Sequence, residues 1–331
     1  MKKFKVGIDA YSLKPLGLSA FEILDWALMN DAHGVQFSEA PEQAGDRTFL
    51  DELSQYADQN SLYLEWGGGE HVPFDLTTGK PRAIAAVNQK AAEQASRMGI
   101  RVVRSCSGGL MRWKDDSIPT KTLLLEMAKS LRAQKSTLKD LGIVLAIETH
   151  FEFTTFELLT LFDMCDAEPG DYLGICLDTM NLLTMLEEPV AATRRILPWV
   201  VTTHIKDGGI LLAADGLISF TAEAGKGVVD FRKIFEELSS LERIVNLSIE
   251  DHGGDFRIPI FDPIFLTKFP DLAVPELAAL LKLASQTKQL MDGKELFILD
   301  RSRWPEICES RVKRDIRHIR KVLEPVGQMR L

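Results

Sequence analysis

Four short apolar runs between residues 144 and 250 each lead to a side chain able to bind a metal. AIETH carries Glu148, GICLDTMN carries Asp178, VTTHIKD carries His204 and LSIEDHGG carries Glu250. Carboxylates and imidazoles that follow apolar strand residues are costly to bury singly. Gathered at one point, three carboxylates and one imidazole form an oxygen-rich set for one divalent ion. Mn²⁺ suits it best, with Mg²⁺, Co²⁺ and Zn²⁺ also accommodated. An ion there would polarise a carbonyl or hydroxyl and acidify the adjacent C–H. Glu148 and Glu250, arriving from different strands, are the candidates to take that proton and return one. Taken singly, a strand-end glutamate is usually a solvated loop residue, and a strand-end histidine is usually structural. Recurrence on successive strands is what makes a site of them.

The neighbours of these four residues have chemistry of their own. His150 lies two residues past Glu148 and shares its face if the chain stays extended. It is a candidate acid or base for a leaving hydroxyl, or else a structural histidine. Lys206, two past His204, is placed to neutralise an oxyanion or carboxylate, and Asp207 to orient Lys206 or His204. Arg104, near the end of a strand, is a candidate for an anionic group, and Lys226 a weaker one. Trp66 precedes GGGE and His71. It is either a wall for a sugar face or a barrel-core aromatic. Asp251 and His252 are candidates for the mouth of a site, although adjacent strand side chains face opposite ways. The glycines at 67–69 lack the spacing of a dinucleotide fingerprint.

These residues need a frame that brings strand ends together. Strands are predicted at Lys5–Asp9, Val35–Ser38, Leu62–Trp66, Arg101–Cys106, Val144–Glu148, Leu173–Asp178, Val200–His204 and Ile244–Glu250. Helical spacing recurs between them at Ala20–Met29, Pro81–Met98, Thr120–Leu141 and Phe231–Leu241. Alternation of this kind predicts a parallel sheet covered by helices. Eight units make a (β/α)₈ TIM barrel, whose active sites lie at the C-terminal ends of its strands; an open doubly wound sheet is the alternative. Ser19 with Glu22 has capping-box spacing, Asp230 is a predicted N-cap, and Gly99 and Gly142 fit helix C′ positions.

The whole chain, 1–331, is expected to form a single barrel domain, with residues 253–331 as a long post-strand loop and an extended C-terminal helical segment. That segment holds two predicted helices, Val274–Met291 and Trp304–Leu323. One would close the barrel and the other is extra. Leu277, Leu280, Leu281 and Leu283 offer an apolar face, so a homo-oligomer or a partner protein is expected. RVKRDIRHIRKVL reads as a surface helix with a solvated basic face.

Composition narrows the partners. The net charge of −9, from 48 acidic and 39 basic side chains, argues against nucleic acid. A small sugar-like substrate is easier to reconcile with it. Four cysteines without a CxxC pair indicate neither a zinc ribbon nor a disulfide framework. Cys106 and Cys176 sit in apolar runs and read as buried small hydrophobes. No signal-peptide or membrane-spanning run is present, so a cytoplasmic location is expected and no membrane partner.

The pieces ET at 148–149, GICLDTMN at 174–181, THIKD at 203–207, GKGVVDF at 225–231 and IE at 249–250 resemble the xylose isomerase-like barrel superfamily, in its sugar phosphate isomerase/epimerase branch. The resemblance covers roughly residues 4–255. It implies a TIM barrel with one catalytic divalent metal held by Glu148, Asp178, His204 and Glu250, the two glutamates shuttling protons. Relatives of this kind include ketose 3-epimerases, hydroxypyruvate isomerase, inosose dehydratase and 3-dehydroshikimate dehydratase. The implied activity is isomerisation or epimerisation of a sugar or related hydroxy-ketone through an enediolate. A dehydratase or other lyase is the first alternative, and a non-catalytic scaffold the second. Three positions depart from the epimerase pattern. Asn181 stands where those enzymes carry a substrate-binding histidine, and is carried here as a substrate-binding candidate. DGGILLAAD replaces an arginine-bearing stretch, and Lys226 replaces a glutamate. Endonuclease IV shares the superfamily, but its multinuclear site needs more histidines than the six present, so no action on DNA is expected.

Overall fold

The computed structural model describes residues 4–76, 78–107, 109–114 and 118–328. Its strands are β1 (Phe4–Asp9), β2 (Gly34–Phe37), β3 (Tyr63–Gly69), β4 (Val102–Ser105), β5 (Val144–Glu148), β6 (Leu173–Asp178), β7 (Val200–Ile205), β8 (Asp207–Ala213), β9 (Gly216–Ala222), β10 (Val245–Ile249) and β11 (Asp255–Ile258). The first seven and β10 run parallel and close into a barrel. All eight predicted strands are present, and the closed ring excludes the open-sheet alternative. Strands β5 and β6 are buried along their whole length, as strands covered on both faces must be, and this is why they read as continuous apolar runs.

Register sets the height of the site. Asp178 pairs with His204 across β6 and β7, and Glu148 pairs with Cys176 across β5 and β6. The three polar ends therefore emerge at the same rim of the barrel.

The helices begin and end where local chemistry directs. Ser19 and Glu22 form the predicted capping box ahead of Ala20–Met29. Asp230 accepts from the Lys233 N–H at the start of Phe231–Leu238. Gly99 and Gly142 adopt φ of 68° and 69° just past their helices, left-handed values that glycine takes without a Cβ penalty. The predicted Thr120–Leu141 helix is divided at Gln134 into Thr120–Ala133 and Lys135–Asp140.

No strand is predicted at residues 207–222, which form the hairpin β8–β9, extended by β11 into a separate antiparallel sheet. Helix Val274–Asp292 packs on β8 and is the extra helix. Helix Trp304–Gln328 packs against β1, β10 and helix Phe231–Leu238, and closes the barrel. The predicted apolar face is partly used inside the chain, since Leu280 is buried and Leu281 exposed. In the terminal helix Val312, Ile316 and Ile319 point inward as expected, but so does Arg311. Among the described residues no helix is long and apolar enough to cross a membrane.

Candidate active site

The ends of β5, β6 and β7 bring donor atoms of Glu148, Asp178 and His204 within 4.8 Å of one another. His204 Nδ1 is 3.4 Å from Glu148 Oε1. The other imidazole nitrogen, Nε2, meets Gln36 Oε1 and lies 3.4 Å from Asp9 Oδ2. A proton held on Nε2 by these acceptors leaves Nδ1 with a bare lone pair, as a metal ligand requires. Asp178 Oδ1 accepts the backbone N–H groups of Met180 and Asn181, at 2.9 and 2.8 Å, which turns Oδ2 toward the site. Arg104 occupies Glu148 Oε2 with two donors, Nε at 2.7 Å. Glu148 Oε1 is left to His204 and to Asn181 Nδ2, which donates at 3.4 Å.

Glu250, just past β10, stands beside this triad. Its Oε2 is 4.0 Å from His204 Nδ1 and is ion-paired to Lys206 Nζ. The same ammonium is 2.9 Å from Asp178 Oδ2. Burial disfavours charge on Glu250, but Lys206 and His252 outweigh it and lower its pKa to about 2. Burial likewise raises Asp178 to about 6 despite the opposing pull of Lys206.

A divalent ion fits these residues. His204 Nδ1 is a buried atom with no hydrogen-bond partner, whereas nearly all buried polar atoms find one, and Asp178 Oδ2 and Glu250 Oε2 beside it share a single cation, Lys206 Nζ. One bare nitrogen and two carboxylate oxygens with a single ammonium between them are what an oxygen- and nitrogen-ligated cation would satisfy.

Above them opens a cavity of about 540 Å³ whose walls carry Glu148 and Glu250 and five cationic or imidazole side chains: Arg104, His150, Lys206, His252 and Arg301. His150 Nδ1 meets Glu152 at 3.0 Å. Burial lowers the His150 pKa, but Cys106 and Glu152 outweigh it and raise it well above the ordinary range. Arg301 Nη2 donates to Tyr11 Oη at 2.9 Å, so the C-terminal segment supplies part of the mouth.

Other expected residues lie elsewhere. Trp66 is fully buried, donates to Gln94 and packs on Phe37, which is its barrel-core role and not a cavity wall. Asp207 is turned away from the cavity. Its carboxylate accepts the N–H groups of Gly208, Gly225, Gly227 and Val229 and ties down the loop that holds Lys226. Cys176 is buried as expected, but Cys106 lines the cavity.

Several site residues were not anticipated. Gln36 and Asp9 orient His204. Below them Gln36, Glu65, Thr202 and Asn246 form a buried polar layer, with Gln36 Nε2 2.6 Å from Glu65 Oε2 and Asn246 Nδ2 2.8 Å from Oε1. Their mark in the sequence is a polar residue inside an otherwise apolar strand. Glu152, Tyr11 and Arg301 carry no such mark.

Comparison with known proteins agrees with this architecture. The chain is 29% identical over 123 residues to 3-oxo-isoapionate decarboxylase of Pectobacterium atrosepticum, covering 36% of this chain and 43% of that protein. It is 26% identical over 115 residues to "Uncharacterized protein YihM" of Escherichia coli (strain K12), covering 35% of this chain and 34% of that one. The chain thus spans less than half the length of these curated relatives. D-psicose 3-epimerase from Clostridium cellulolyticum H10 superposes with a TM-score of 0.58 at 16% identity, over 85% of this chain and 98% of that one; the likeness is one of fold. The family described as xylose isomerase-like TIM barrel matches residues 12–264, and the chain belongs to it.

Proposed function

We propose that the protein is a metal-dependent lyase that removes the carboxyl group of a hydroxylated 3-oxo acid. The observation that carries this reading is the state of the two glutamates. Arg104 engages Glu148 and Lys206 engages Glu250, so neither carboxylate is a free base at the cavity. Loss of carbon dioxide reaches an enediolate without a base. The bond to the carboxyl carbon breaks, its electron pair moves toward the ketone oxygen, and a proton is then delivered to the carbon left behind. The bound ion would supply Lewis-acid polarisation of the ketone oxygen. Arg301 and His252 at the mouth suit an acidic substrate, and Lys206 Nζ holds a proton between Asp178 and Glu250 where charge develops. The partial match to a decarboxylase acting on a 3-oxo acid supports the same reading.

Isomerisation or epimerisation of a sugar or related hydroxy-ketone is the second reading, favoured by one observation: Glu148 and Glu250 both line the cavity from separate strands. One would take the proton and the other return it once their cations are drawn off. Incubating the metal-loaded protein in deuterated water with 3-oxo sugar acids, ketoses and keto-inositols, followed by carbon NMR, separates the outcomes. Release of labelled carbon dioxide is expected from a 3-oxo acid. Deuterium exchange in a ketose, with no loss of carboxylate from any acid, would replace the lyase with the isomerase or epimerase, and loss of water would indicate a dehydratase. Lys206→Met should slow turnover roughly 10²–10⁴-fold, as for loss of a proton-transfer group.

A further inference from the structure

Cys106, His150 and Glu152 converge on the cavity wall without sharing a residue with the Glu148–Asp178–His204 cluster. Their donor atoms lie within 4.8 Å of one another. His150 Nδ1 is 3.0 and 3.2 Å from the two Glu152 oxygens. Each is placed by a hydrogen bond with a backbone group. Cys106 prolongs the β4 ladder through its N–H to Gly69 O at 3.3 Å, and Glu152 accepts the Gly109 N–H. His150 follows β5 through a turn closed by its N–H on Glu148 O. A further histidine adjoins them. His71 gives Nδ1 to Ser105 Oγ at 2.9 Å, while its Nε2 is buried with no hydrogen-bond partner and the ring feels the charges of Glu152 and His150.

We propose that Cys106, His150 and Glu152 form a second divalent-metal site, softer than the first and suited to zinc. A thiolate, an imidazole and a carboxylate are zinc donors, and a thiolate selects zinc over Mn²⁺ or Mg²⁺. Tetrahedral zinc at its usual bond lengths spaces such donors by about 3.3–3.6 Å, so the observed cluster needs only small side-chain shifts. Three protein donors leave a fourth position, which a molecule in the cavity would take. Cys106 and His150 both face that cavity, so the ion would present positive charge to whatever fills it. The proposal stands apart from the lyase reading, since it concerns what the wall binds and not what reaction follows.

Cobalt titration of the chelator-stripped, reduced full chain tests it. Two equivalents are expected, one of them with the near-ultraviolet charge-transfer band of a cobalt thiolate. Cys106→Ser should lose that band and one equivalent while keeping the other. Asp178→Asn should lose the other equivalent and keep the band. Glu152→Gln, which retains the thiol, should weaken the band-forming site at least about tenfold. Circular dichroism reports whether each variant is folded. A band that survives in folded Cys106→Ser would belong to Cys176, whose thiol contacts His204, and would overturn the proposal. So would wild-type binding with no thiolate band at any zinc or cobalt loading. A single equivalent with the band lost in Cys106→Ser would uphold this site and remove the metal from the Glu148 cluster, and with it the lyase reading.

Discussion

Glu148, Asp178 and His204 bury their charges at the base of a cavity, whereas Asp251, Arg311 and Asp315 bury theirs against one another. In the second group Arg311 Nη2 lies 2.8 Å from Asp251 and Nε lies 3.4 Å from Asp315. The remaining carboxylate oxygens accept backbone N–H groups of His252, Gly253 and Ala224. Both groups sit near the C-terminal rim, and Asp251 is the residue after Glu250. One cluster is internally compensated and joins the terminal helix to the barrel. The other lacks a cation of its own apart from the lysine and arginine borrowed from its edges. Buried charge that faces its own counter-charge is architecture, and buried charge that faces a void is a binding site.

Substitution can break that contrast. The largest expected effect is at Asp178. Asp178→Ala should abolish the first metal equivalent and lower turnover at least about 10³-fold, or about 4 kcal/mol of barrier, read by elemental analysis and steady-state rates. Next comes Arg311→Met, which leaves Asp251 without its buried counter-charge and should cost about 3–5 kcal/mol in urea unfolding while the folded fraction keeps its metal stoichiometry. Metal-free Asp178→Asn should instead unfold within about 1 kcal/mol of the parent chain, since the amide oxygen still accepts the Met180 and Asn181 N–H groups and Lys206 keeps Glu250 as its counter-charge. Comparable destabilisation by both would erase the distinction between the clusters.

Smaller effects sharpen it. Gln36→Leu removes the acceptor that sets the His204 tautomer and should weaken metal binding roughly 10–100-fold, the usual range for such supporting residues, measured by competition with a chelating dye. At Asp315, burial raises the carboxyl to about 8, because Arg311 offsets only part of the cost and Asp251 opposes it. Its folded pKa exceeds the unfolded value, so folding retains the proton. The stability this gives is fully present below the unfolded pKa and is lost as pH rises toward 8, at up to about 1.4 kcal/mol per pH unit. Asp315→Asn should flatten the urea midpoint between pH 6 and 9 relative to the parent, and an unchanged slope would remove Asp315 from this role.

How much of this was legible follows from the same contrast. Glu148, Asp178 and His204 interrupt runs that burial makes apolar, so their positions and the barrel that gathers them stand out in one sequence. Strand β8 did not stand out. DGGILLA lacks alternation because helix Val274–Asp292 covers it, and its glycines are needed where a Cβ at Gly209 would strike Phe220. Trp66 could be read as a sugar wall or a core aromatic, because sequence shows an aromatic near a glycine run and not which way the ring points. Arg311 looked solvated because it belongs to a basic stretch, and its partner Asp251 lies sixty residues away in a different element. Cys106 looked inert because its companions, His150 and Glu152, are brought to it only by the closing of β4 against β5.

The Trp304 indole N–H donates to Ser12 O, and Ser12 Oγ in turn accepts from the Asp251 N–H, at 3.0 Å in both cases. Segments from opposite ends of the chain thus meet at the mouth, while the Glu148–Asp178–His204 cluster comes from three strands consecutive in sequence and in space. Long loop closures are slow and late in folding. A refolding chain should therefore acquire its ion-binding cluster before it acquires a mouth able to hold a substrate, and stopped-flow metal uptake should run ahead of the recovery of turnover.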